Sequence, residues 1–213
     1  MAEKGRWHLA AIWIAGAALS APIGIVLHEL AHYSAATAFG LPGVSMNYAS
    51  INIAGAEEFW SRMAAGNRAG AAEIAPLHQI GIVSILGPLS TVVLSLAAAL
   101  LLRAKPDAGL ASALLAGLAL TAGVRSLTGL FYIVHVRSSV PDASPNFDEF
   151  NAARAFNVPV DFVVWPMVLG LVLCWLIALP HLRPHLAVKL PAVLIGTAVG
   201  IAIWFITGPL LLG

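Results

Sequence analysis

Five long apolar runs limit what this chain can become more than any other feature. They extend from Trp7 to Phe39, Ile80 to Leu102, Gly109 to Val136, Phe162 to Leu179 and Pro191 to Leu212. About 20 apolar residues in helical form cross a hydrocarbon core. Inside that core every backbone N–H and C=O must be bonded within the protein, so lipid-facing spans are helices rather than open sheets. The expected fold class is an all-α polytopic membrane protein of five spans in a single domain. Composition agrees, with 60% hydrophobic and 10% charged residues and a mean hydropathy of +0.89. A net charge of +1 leaves no basic face for nucleic acid. The one cysteine, Cys174, excludes an intramolecular disulfide framework and is expected as a small apolar filler. The opening stretch has the composition of a signal peptide, but a histidine-rich segment continues the same run. It is therefore expected as a retained first span, kinked at Pro22.

Two connections are long. Residues 40–79 begin with VSMNYASINIAG, whose imperfect alternation predicts one or two short strands. A helical piece follows, AEEFWSRMAAGNRAGAAEI, with Phe59, Trp60 and Met63 on one side, as in an interfacial helix. Residues 137–161 predict a Pro-rich turn and then a short helix, FDEFNAARAF, capped by Asn146. Lys4, Arg6, Arg103, Lys105, Arg183 and Lys189 fall on one side of a five-span arrangement, and Arg62, Arg68, Arg137 and Arg154 on the other. By the positive-inside rule this leans towards a cytoplasmic N-terminus.

Within the first run, His28, Glu29 and His32 form H-E-x-x-H. Residues four apart on a helix point the same way, about 6 Å apart along the axis. Two imidazoles so placed can bind one zinc ion, with Glu29 beside them to take a proton from a zinc-bound water. Such a water attacks a peptide carbonyl as a hydroxide-like nucleophile. Ionisable groups in an apolar span are costly and usually functional. Metal binding and catalysis together offset the cost here. A catalytic zinc takes three protein ligands. Spacing leaves the third open among Glu57, Glu58, Glu73, Asp142, Asp148, Glu149, His78 and His135.

Three segments in order give the chain a resemblance to the site-2 protease family of intramembrane zinc metalloproteases. HELAH sits late in an apolar helix, GPLST (Gly87 to Thr91) opens the next span, and PDASPNFDEFNAARAF follows one span later. They match the family's zinc motif, its G-P-x-x-N segment and its Pro-containing loop with an Asp-Gly pair. The resemblance covers about residues 20–156. It implies one zinc per chain, held by His28, His32 and Asp148, with Glu29 as general base. It also implies a membrane-associated β element after the first span, whose edge holds an extended substrate. The implied substrate is a membrane protein or membrane-anchored peptide. The implied setting is the bilayer of a prokaryotic cell (inner) membrane, with the site near the cytoplasmic face and the N-terminus outside. The chain departs from the family pattern at Thr91, where the family has asparagine, and at Glu149, where it has glycine.

Other residues bear on the same chemistry. Arg125, inside the third run, is a candidate to pair with a carboxylate near the metal or to stabilise an oxyanion. Asn151 is placed three residues after Asp148 to orient it, and Thr91 retains a hydroxyl for hydrogen bonding. His78 and His135 lie near span ends as polar anchors, and Gly87 and Pro88 suit close helix packing and a helix start. Trp7, Trp60, Trp165 and Trp204 suit interfacial belts. Two other classes compete with a protease: a metal-binding scaffold or chaperone that binds without cutting, and a haem or ion-transport protein.

Overall fold

The computed structural model of the chain describes residues 3–104, 109–136, 147–183 and 185–212. Asp142, Arg137, Lys105 and the expected Asn146 cap lie outside them. In order come α1 (Glu3–Ala18), α2 (Ser20–Ala38), β1 (Ser45–Met46), β2 (Ile51–Asn52), α3 (Ala56–Ala64), α4 (Arg68–Ile74) and α5 (Leu77–Ala104). Then follow α6 (Leu110–Thr121), α7 (Arg125–Phe131, ending in a π-helical turn, Tyr132–Val136) and α8 (Asp148–Phe156). The last two are α9 (Asp161–Ala178, with a 3-10 turn at Leu179–Leu182) and α10 (Leu186–Leu212).

Five helical stretches are long and apolar enough to cross a membrane: Gly5–Ala38, Leu77–Ala104, Leu110–Val134, Asp161–Leu182 and Leu186–Leu212. Their outer faces carry large apolar side chains, with Ile206 72% and Leu210 83% exposed. Helices of this length with such apolar outer faces suggest an integral membrane protein.

Two of the five stretches are interrupted. The first breaks at Leu19, between α1 and α2, three residues before the proline expected to kink it. Pro22 has no N–H to give the Ala18 carbonyl, so the lost bond disrupts the turn that precedes it. The third breaks at residues 122–124, between α6 and α7, and places Arg125 at the start of α7. The interfacial segment is likewise two helices rather than one. Gly66, at φ +75°, makes the turn, and the Asn67 side chain accepts from Gly70 N to cap α4.

The spans are held together by small residues. Trp13, Ala17, Ala98, Ala99, Ala113, Ala116, Ala119 and Val193 form the core between α1, α5, α6 and α10. A Cβ placed at Gly196 or Gly200 of α10 would strike the carbonyl oxygens of Ile14 and Ala18. Backbones thus touch directly, which is how helices associate where there is no water to drive them together. Three hydroxyls join α2, α6 and α10: Thr197 Oγ1 lies 3.5 Å from Ser20 Oγ and 3.4 Å from Thr121 Oγ1.

The strands form an antiparallel hairpin with Ser45 opposite Asn52 and Met46 opposite Ile51. Its turn is shaped by Asn47, whose Oδ1 accepts from Ala49 N and Ser50 N. Trp204 Nε1 on α10 donates to Tyr48 O at 2.9 Å, so the hairpin tip is tied to the last span. Beneath it, Phe59 of α3, Ala71 of α4, Ala36 of α2 and Val83 of α5 share a second core.

Candidate metal centre

The centre is built from four helices. α2 supplies His28 and His32 on one face, both buried, with Glu29 buried beside them. α8 supplies Asp148, its first residue, after Phe147 in extended backbone (φ −106°, ψ 150°). Phe147 occupies the cap position, where a side-chain cap from Asn146 was expected. α5 forms a wall at Gly87 and Val83, and α7 adds Arg125.

His28 Nε2 lies 3.0 Å from Asp148 Oδ2 and 3.1 Å from His32 Nε2, and His32 Nε2 lies 3.5 Å from the same carboxylate oxygen. A tetrahedral ion with ligand bonds of about 2.0–2.1 Å needs ligand atoms about 3.3 Å apart. The three atoms therefore have the mutual spacing of one face of such a shell. The orientation of His32 is set by its other nitrogen: Nδ1–H donates to Val83 O at 2.6 Å, which leaves Nε2 with its lone pair towards the cluster. The Asp148 carboxyl is buried, which acts to raise its pKa. Its polar contacts with His28 and His32 and the Arg125 charge outweigh burial and hold it well below the usual carboxylate range. Asp148 is thus ionised and ready to ligate.

Gly87 decides whether there is room for an ion. A Cβ there would run into His32 Nε2 and Cε1 and stand 2.8 Å from His28 Nε2. The space that a side chain would fill is the space against the two imidazole Nε2 atoms. Donor chemistry, spacing and the open cradle all fit a metal ion, and His28, His32 and Asp148 form a buried group able to hold one.

A cleft of about 330 Å³ opens beside the group. Glu29, His32, Arg125, Asp148 and Asn151 make its polar end. Ala49, Ser50, Ile51 and Ile53 of the hairpin region, with Phe59, Trp60 and Ile80, line much of the remainder. Arg125 Nη1 is 3.2 Å from His28 Nε2 and Nη2 is 3.3 Å from Asp148 Oδ2.

The other candidates stand elsewhere. Glu149 is buried and accepts from Ser126 Oγ at 2.8 Å, joining α8 to α7 away from the histidines. The Thr91 hydroxyl donates to Pro88 O at 2.7 Å, within its own helix. Glu58 and Glu73 pair with Arg62 at the surface, and Glu57 and His78 are exposed. The side chain of His135, like Asp142, lies outside the described residues.

Three contributors had no assigned part in the sequence reading of the site. Gly87 was expected to aid helix packing and, with Pro88, to shape a helix start, but both lie well inside α5, which begins at Leu77. Val83 acts through its carbonyl, which any residue carries. Arg68 of α4 donates to Arg154 O and to Ala155 O (the latter at 3.1 Å), closing the C-terminal end of α8. Nothing in the sequence distinguishes it from a surface arginine. Compared with protein families, curated proteins and solved structures, the chain gives no match to any of them.

Proposed function

We propose that the protein is a zinc-dependent intramembrane endopeptidase that cuts peptide bonds in or near membrane-spanning segments of other proteins. The convergence of His28, His32 and Asp148 on one point, with Glu29 buried at the end of an open cleft, carries this reading. The motif resemblance to site-2 proteases agrees with it, in a prokaryotic cell membrane with the site near the cytoplasmic face. Two imidazoles, one carboxylate and a position left open to the cleft are the ligand set of a catalytic zinc. Such an ion, when bound, supplies Lewis acidity towards water and the peptide carbonyl. Glu29 accepts the proton that the attacking water loses and passes it to the leaving amine. Hairpin residues line the cleft, and this supports a role for the strand edge in holding an extended segment by main-chain hydrogen bonds. The apolar wall of Phe59, Trp60 and Ile80 suits substrate side chains drawn from a bilayer.

The test has two arms. Zinc content is determined in detergent-purified wild type, His32→Ala and Asp148→Ala. Near one zinc per chain in wild type, absent from both variants, supports the centre. Cleavage of a membrane-anchored reporter by wild type and Glu29→Gln then addresses the reaction. The expected result is zinc retained and cleavage lost in Glu29→Gln.

One observation favours a metal-binding scaffold that does not cut. The Thr91 hydroxyl turns into its own helix, so nothing at that position faces the cleft as the family's asparagine would. Function that survives Glu29→Gln would select that reading. Haem fits poorly, because the two Nε2 atoms face each other at 3.1 Å with no space for a macrocycle between them.

A further inference from the structure

His28 Nε2 has more neighbours than one proton can serve. Asp148 Oδ2, His32 Nε2 and Arg125 Nη1 all stand between 3.0 and 3.2 Å from it. His32 Nδ1–H is engaged by Val83 O, and Asp148 Oδ2 and the two Nε2 atoms converge on one point. Arg125 reaches two of them through two donors at once, Nη1 to His28 Nε2 and Nη2 to Asp148 Oδ2. Those are two of the three atoms a metal would need.

Arg125 also has freedom to leave. It begins α7 directly after the interruption of the third span, so it follows a break rather than lying within a continuous helix. Its side chain is 48% exposed and lines the open cleft. The guanidinium and a metal ion would compete for the same two atoms, His28 Nε2 and Asp148 Oδ2. A dication there would repel the guanidinium.

We propose that Arg125 is an exchangeable cation. It holds the metal-free centre together by occupying two of its ligand atoms, and it is displaced into the cleft when the metal enters. The inference rests on the metal reading above. It differs in sign from the alternative, in which Arg125 orients Asp148 for the metal. An orienting group strengthens metal binding, whereas a competing cation weakens it.

The experiment measures zinc affinity of the full chain in detergent by competition with a chromogenic chelator, for wild type, Arg125→Gln and Arg125→Lys. Thermal unfolding is followed with and without zinc. Removing the competitor is expected to tighten zinc binding in Arg125→Gln by about tenfold or more. Without zinc, that variant should unfold at a lower temperature than wild type, and saturating zinc should close the difference. Arg125→Lys, which keeps the charge but not the planar fork, should fall between. Unchanged affinity in Arg125→Gln overturns the proposal, as does weakening, which for a lost orienting group runs to about 10–100-fold. Should metal-free Arg125→Gln fail to fold, both proteins are purified zinc-loaded and challenged with chelator. Slower zinc release from the variant is expected, and equal or faster release is the overturning result. Zinc in wild type with weaker binding in the variant sinks the exchange alone. Zinc in neither protein sinks the metal reading and the exchange with it.

Discussion

At Gly87 a hydrogen atom stands where any other residue would place a Cβ between two imidazoles. Gly87→Ala adds one methyl group at the surface of α5, yet it fills the space against the two imidazole Nε2 atoms. We expect it to lose zinc while keeping its helical circular dichroism; full zinc occupancy would refute the cradle. The histidines themselves were legible, because an i, i+4 pair beside a glutamate has a chemical meaning that needs no partner helix. Gly87 was not. Glycines are common in membrane helices as packing positions, and only the register of α5 against α2 shows which one faces the centre. Asp148 lies between these cases. It was one acid among several, and its place beside HELAH depends on α8 folding across 120 positions of sequence. Glu149, adjacent in sequence, faces Ser126 because consecutive residues on a helix point about 100° apart.

Among the elements, α8 and α10 carry the clearest consequences. α8 is short, and a helix of its length is marginal on its own. Its first residue is a ligand atom's support and its last carbonyls are held by Arg68 from α4. Arg68→Ala should therefore weaken zinc binding by about tenfold, as losses of supporting hydrogen bonds do. Arg68→Lys should recover part of it; unchanged affinity in Arg68→Ala would show that packing of Phe150 and Phe156 suffices. On α10, Gly200→Val should separate α10 from α1 and lower the unfolding temperature, with a cost of about 1–3 kcal/mol for overpacking. Thr197→Val should cost less, about 0.6 kcal/mol, the usual worth of a hydrogen bond between spans. Apolar runs made the long helices legible, but their interruptions were harder to read. Pro22 marks a missing donor, while the break falls where the acceptor is, at Leu19. The third span breaks at Ala122-Gly123-Val124, a sequence that many continuous membrane helices would accept.

For the whole molecule, the proposed five crossings put Glu3 and Leu212 on opposite sides of a bilayer. The proposed cytoplasmic site puts Glu3 outside and Leu212 inside. A reporter that works only in the cytoplasm should be active when fused at the C-terminus and silent at the N-terminus. The reverse pattern would mean that the Lys and Arg distribution governs orientation. The long connection between α2 and α8 also has a consequence in time. At roughly 5–20 residues per second, the segment separating His28 from Asp148 takes on the order of ten seconds to synthesise. Throughout that interval the chain holds two imidazoles and no carboxylate to close the set. Nascent chains stalled before Phe147 should retain no zinc through washing. The centre is thus completed only after three spans have been made and the interfacial helices laid down. Under the proposed function that order keeps the chain latent among its neighbours until its own architecture is in place.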